Sequence, residues 1–137
     1  MSEGQQQRTG TFQELAEQEC YELLETTTVG RVGFASERGQ QIIPVNFERC
    51  DGALVFATSS TSILAALADG VDDVAFEVDH HDTMYQVGWS VLVLGRTERA
   101  TEDETAGGRH APWAPGERST IIRLVPARIS GRRVAAH

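Results

Sequence analysis

Five consecutive hydroxyl side chains, Thr58-Ser59-Ser60-Thr61-Ser62, stand directly ahead of Ile63-Leu64-Ala65-Ala66-Leu67-Ala68, a run of helix-forming composition that Gly70 can stop. The open amides of a helix N-terminus carry positive partial charge, and hydroxyl donors grouped around them can seat a phosphate. The commoner use of such residues is capping, with Thr61 or Ser62 as the cap, and the run taken alone favours it. A second cluster, Asp79-His80-His81-Asp82, puts four potential metal ligands in a row. Neighbours in extended chain point to opposite sides and seldom converge on one ion, so this reads as a solvated turn after a strand. His80 and His81 could still approach a ligand from the rim of a sheet. Ser90 lies in Gly88-Trp89-Ser90-Val91-Leu92, which lacks the second glycine and the following helix of a nucleophile elbow, and is a poor nucleophile. Pro112 and Pro115 flank Trp113 and stiffen its loop, as a stacking platform, an interface anchor or a plug at one end of a core would require. No catalytic side chain and no metal ligand is assigned.

Strands must hold these groups. Val29 to Ala35, Ile42 to Phe47 and Leu54 to Thr58 read as a meander. Its first two strands are separated by a polar loop containing Gly39, and its last two by Cys50-Asp51-Gly52, a hairpin signal. Val74 to Val78 is a fourth strand with Val74, Phe76 and Val78 on one face. Trp89 to Ala100 is the longest, apolar on both faces at its start, and should be central. Thr120 to Val125 precedes Pro126, and the tail Ala127 to Val134 can add an edge strand. At the other end Thr11-Phe12-Gln13-Glu14 spells a capping box, predicting a helix that begins at Thr11 and lays Phe12, Leu15, Ala16, Cys20, Leu23 and Leu24 on one buried stripe. Cys20 then serves packing rather than chemistry. Thr101-Glu102-Asp103-Glu104 is a second capping box, cut short by Gly107-Gly108.

A chain of 137 residues can bury a core without disulfides or metal, and its two cysteines form no secreted-type framework. A reduced, cytoplasmic setting is expected. Residues 1–10 read as a flexible leader without the apolar core of a signal peptide, and 11–137 as one domain. No apolar run approaches the roughly 20 residues that span a membrane. The net charge of −8 argues against nucleic acid as a partner. All twelve cations are arginines, mostly single, with Arg128, Arg132 and Arg133 the one local grouping, read as a solvated end. Any bound phosphate must therefore be held by arginine or by neutral donors.

Six strands, an N-terminal helix and short outer helices predict a mainly β chain with peripheral helices, closed as an antiparallel barrel. Neither a G-x-G-x-x-G nor a G-x-x-x-x-G-K-[ST] motif is present, which sets the common nucleotide folds aside.

Between about Leu15 and Val134 the order of short motifs resembles the pyridoxamine 5′-phosphate oxidase-like family, the FMN-binding split barrels. The likeness rests on Val29-Gly30-Arg31-Val32, Pro44-Val45-Asn46-Phe47, the strand, loop and helix from Phe56 to Leu67, Trp89-Ser90-Val91 leading to Gly95-Arg96, the loop Pro112 to Arg118, and Gly131-Arg132-Arg133. It implies a six-stranded antiparallel split β-barrel of FMN-binding type, working as a homodimer with two flavin sites between its subunits. By that resemblance Pro44, Val45, Asn46 and Phe47 line the flavin ring, and Thr58, Ser59, Thr61 and Ser62 surround the phosphate. Ser90 sits near the ribityl chain or ring edge, and Trp113 and Arg118 reach in from the partner. Relatives usually carry a lysine or arginine just before the short helix, where this chain has Ser62. Arg31, Arg96 or another arginine would then have to fold back to the phosphate. The expected function is an FMN-dependent oxidoreductase of unknown substrate. The alternatives are a deazaflavin-dependent reductase, or a non-enzymatic binder of a flavin, heme or other planar ligand.

Overall fold

The computed structural model describes residues 10–101 and 120–135. In chain order these form β1 (Thr11–Glu14), α1 (Glu17–Leu24), β2 (Val29–Ser36), β3 (Gly39–Asn46), β4 (Glu48–Cys50), β5 (Ala53–Thr58), a 3-10 helix (Ile63–Asp69), β6 (Val74–Asp82), β7 (Val87–Arg99) and β8 (Thr120–Ala135). All strand pairings are antiparallel, in the order β3-β2-β6-β7-β8-β5-β4, with β1 added on β8. The sheet curls into a split barrel with two helices against it. It has eight strands rather than six, the additional ones being the short β1 and β4. The strand expected at Trp89 to Ala100 became β7, the middle strand, as its composition predicts, but at 13 residues it is not the longest: β8, which continues past Pro126, has 16.

Alternation builds the core. Val32 and Phe34 on β2, Val74, Phe76 and Val78 on β6, and Val91 and Val93 on β7 turn inward and are buried, joined by Cys20 and Leu24 of α1 and by Leu64 and Leu67 of the 3-10 helix. Cys20 is fully buried. Burial, then the charges of Glu19 and Glu17, push its thiol up, away from the reactive thiolate. Asp51 and Gly52 both take positive φ, as a two-residue hairpin turn with Asp-Gly requires.

The structure departs from the sequence reading in three further places. Thr11 does not start a helix: Thr11–Glu14 pairs with Ala135–Arg132, and the Leu15 amide donates to the Gly131 carbonyl at 2.9 Å. Ladder bonds satisfy these amides more fully than one cap could, Glu14 lies opposite Arg132, and the Arg132 guanidinium stands 5.8 Å from the Phe12 ring. Helix α1 begins only after an extended Ala16. Next, Asp79-His80-His81 is not a turn. The strand β6 runs on to Asp82, whose carboxylate accepts from the Met84 and Tyr85 amides at 2.9 and 3.2 Å and so shapes the turn beyond it. Finally, Pro126 does not end its strand. Leu94 pairs with Arg128 while Gly95 pairs with Pro126, so Ala127 is an extra residue, and the bulge absorbs the proline that cannot donate to a ladder.

Candidate functional site

Side chains alternate along each strand, so the register decides which of the sequence-derived residues meet. Opposite the core, the outer face of the sheet carries one cross-strand row, Pro44–Arg31–Glu77–Leu92–Ser130, running over five strands from β3 to β8. Beside it lies the row Asp79–Ser90–Arg132, and on the other side Ala75–Leu94–Arg128. Asn46 shares the Pro44 side of β3, opposite Val29. Arg31, Pro44, Asn46 and Ser90 therefore stand on a single face. Val45 and Phe47 point the other way. Phe47 is buried with its ring edge-on to Phe76 at 4.8 Å, so anything lying on the outer face would reach it through backbone only.

The face is open and largely apolar at its rim: Ile42 is 73% exposed, Pro44 is exposed, and Leu92 is 38% exposed although it sits on the central strand. A flat heterocycle wants this mixture of apolar wall and a few polar groups. The hydroxyl run meets a narrower description. Thr58 is buried at the end of β5, opposite Thr120. The Ser59 and Thr61 hydroxyls bond each other at 2.9 Å, and the Ser59 oxygen also accepts the Thr61 amide at 3.2 Å. Ser62 caps the 3-10 helix by accepting from the Leu64 amide at 3.0 Å. Capping, the commoner use, is present here. Thr61 nonetheless remains exposed at the surface. Trp113 and Arg118 lie outside the described residues.

Arg31 is not a spare cation. It donates to Glu77 at 3.1 Å and to Asp79 at 3.5 Å, and all three side chains are partly open to solvent. The second candidate, Arg96, bonds Glu98 at 2.8 Å on the outer side of β7. Burial, followed by a hydrogen bond donated to Asp79 and the Asp79 charge, pushes the Glu77 carboxyl up to about 7 despite Arg31. Sequence reading missed Glu77, because an acidic residue within an apolar strand looks like one solvated position. The available signal was the Glu77-x-Asp79 spacing, which puts two carboxyls on one face.

The raised carboxyl makes stability depend on pH. Folding raises the Glu77 carboxyl from 4.5 to about 7, so between these values the folded chain holds more protons than the unfolded one, and stability falls as pH climbs through that window. The midpoint of thermal unfolding should therefore drop more steeply over this range in the wild type than in Glu77→Gln. Parallel curves would contradict it. Among the described residues no group of three or more His, Cys, Asp and Glu could hold a metal ion, and no helix is long and apolar enough to cross a membrane.

The sequence profile of the pyridoxamine 5′-phosphate oxidase family matches residues 16–133. An uncharacterized protein of Mycobacterium tuberculosis is 29% identical over 130 residues, covering 90% of this chain and 86% of that protein. Among solved structures, a candidate pyridoxamine 5′-phosphate oxidase of Corynebacterium glutamicum is 30% identical, with a TM-score of 0.73 over 92% of this chain and 95% of that one. A protein of Mycobacterium smegmatis described as FAD binding is 26% identical, with a TM-score of 0.67 over 90% and 98% of the two chains.

Proposed function

This chain belongs to the pyridoxamine 5′-phosphate oxidase family, and from that membership we propose that it holds a flavin on the outer face of its sheet, in sites shared by two identical copies, and acts as a flavin-dependent oxidoreductase. The observation carrying this reading is the gathering of Arg31, Pro44, Asn46 and Ser90 on one exposed, partly apolar face. Pro44 and Ile42 offer apolar contact to the ring, while Asn46 and Ser90 offer polar contacts to its edge and ribityl chain. The hydroxyls of Thr58, Ser59, Thr61 and Ser62 are the phosphate donors on this reading, joined by Trp113 and Arg118 of the partner subunit. A bound flavin supplies the redox chemistry; the chain's own residues orient the ring and keep water from it. FMN is the first expectation, and the likeness to an FAD-binding protein makes FAD the next.

One observation favours a second reading. Arg31 is already held by two carboxylates, so a phosphate must compete with them or rely on hydroxyls. A site that grips the ring better than the anionic tail suits a deazaflavin, a heme or another planar ligand, bound with or without catalysis. Ligand-free protein should be melted with FMN, FAD, a deazaflavin and heme in turn, since a ligand at about a hundred times its Kd adds about 2.7 kcal/mol of stability. A rise in Tm with FMN or FAD supports the flavin, a rise with another ligand alone supports the second reading, and no rise with any of them overturns both. Reduction of the bound flavin by a nicotinamide or deazaflavin donor, with transfer onward to an acceptor, separates an oxidoreductase from a binder.

A further inference from the structure

Arg31 is only half engaged. Its Nη1 makes both contacts, to Glu77 at 3.1 Å and to Asp79 at 3.5 Å, while among the described residues Nε and Nη2 have no partner. The side chain is 52% exposed, so these donors are open to water on the side of the sheet that carries Pro44 and Ser90. A guanidinium offers five N–H donors in a planar fork, and an unused edge of it matches two oxygens of a phosphate or carboxylate. Other charge is sparse around the pair. Along β6, Asp79 flanks Glu77 and His81 follows two residues later; on β7 it faces Leu92, with Ser90 beside it; beyond Arg31, β3 presents Pro44 and Asn46. The cations Arg128 and Arg132 stand on β8, two strands or about 10 Å away.

Two carboxylates thus share one guanidinium, and an arriving anion would make a third negative charge beside it. Pulling Arg31 away would strand both carboxylates, whereas a proton on Glu77 restores the balance and leaves the geometry intact. Glu77 is the group placed to take it, because burial and then Asp79 hold its carboxyl up at about 7. We propose that the open edge of Arg31 receives the anionic group of the ligand, and that Glu77 takes a proton from solvent as this group arrives and returns it on release. Glu77 is then the residue that decides which ligand charge the face accepts: an anion binds together with a proton, and a neutral ligand binds without one. Affinity for the anion falls as pH rises above about 7, by at most about 10-fold per unit. This role for Glu77 rests on the flavin reading above, which places the ligand on this face.

Fluorescence titration of ligand-free protein with FMN and with riboflavin, at about pH 7 and about pH 8.5, tests it. A phosphate monoester loses its second proton at about 6, so FMN itself changes little over this window. The Kd for FMN should rise about fourfold or more between the two values, and that for riboflavin, the same ring without the phosphate, by less than about twofold. Calorimetry of FMN binding at about pH 7.5, in buffers of different ionisation enthalpy, should show about half a proton or more taken up. Glu77→Gln, which keeps the shape of the protonated carboxyl, should abolish both the rise and the uptake. Circular dichroism checks folding; where that variant does not fold, Asp79→Asn replaces it and should cut the rise by about half or more. An FMN affinity equal at both pH values, or a rise shared by riboflavin or retained in the folded variant, would overturn this role for Glu77 and leave the flavin site standing. No binding of either flavin at either pH would overturn both.

Discussion

Phe76→Ala should lower the free energy of unfolding by about 3–5 kcal/mol, the range for emptying a large aromatic position in a closed core. Phe76 has no exposed surface. Its ring takes the edge of Phe47 at 4.8 Å and lies 6.4 Å from Phe56, so it joins β6 to the end of the meander and to β5 on the far side of the barrel. Val32 opposite it on β2 and Val93 opposite it on β7 are likewise buried and β-branched, with little freedom to turn into the space left behind. Urea unfolding should show the midpoint falling with an unchanged slope, and Phe76→Leu, which keeps most of the volume, should lose far less. A loss under about 1 kcal/mol for alanine would mean that the core collapses around the gap, contrary to the packing described. The neighbouring residue on β6 is Glu77, so the same experiment asks whether the outer face survives loss of the ring behind it.

How much of this was legible in the sequence depends on how far apart the interacting segments lie. The meander was readable because its strands are joined by short turns whose chemistry is local, with Asp51-Gly52 the clearest case. The grouping of Pro44 with Asn46 on one side of β3 follows from a period of two. The strand at Thr11 was hidden because its partners, Arg132 to Ala135, come from the other end of the chain, and nothing local announces them. Thr11 and Glu14 do form a capping-box pattern, but pairing along an edge outweighed it. The family likeness named Arg31 but not its partners: Glu77 and Asp79 reach it only through the β2–β6 pairing, which joins strands more than forty residues apart. Arg128 and Arg132 stand out in the sequence as a basic cluster and read as a solvated end, with Ala127 to Val134 at most a separate edge strand after Pro126. Only the bulge shows that they continue it and face outward.

The other large loss is expected at Gly95. A Cβ built there would lie 2.0 Å from the Val125 carbonyl oxygen and 3.1 Å from the Pro126 Cα. Both neighbours are backbone, so no change of rotamer can relieve the collision, and the bulge itself must move. Gly→Ala normally adds about 0.4–1 kcal/mol where the backbone tolerates it, by restricting the unfolded chain. Gly33 supplies that comparison: on β2 a Cβ would meet Ala75 at 3.6 Å, an ordinary contact. Gly95→Ala should therefore destabilise by about 1–3 kcal/mol while Gly33→Ala stays near neutral or gains. The consequence reaches the outer face. Before the bulge the inward residues of β8 are Ile122 and Leu124, and after it Ile129 is the one opposite buried Val93, so the extra residue reverses which positions point out. Without it, Arg128, Ser130 and Arg132 would turn toward the core. Amide exchange should accordingly show lost protection in Gly95→Ala concentrated over residues 126–135, with β2 and β3 little changed. Equal stability of the two alanine variants would mean that the β7–β8 register tolerates a side chain at the bulge, and the outward placement of the β8 arginines would lose its structural cause.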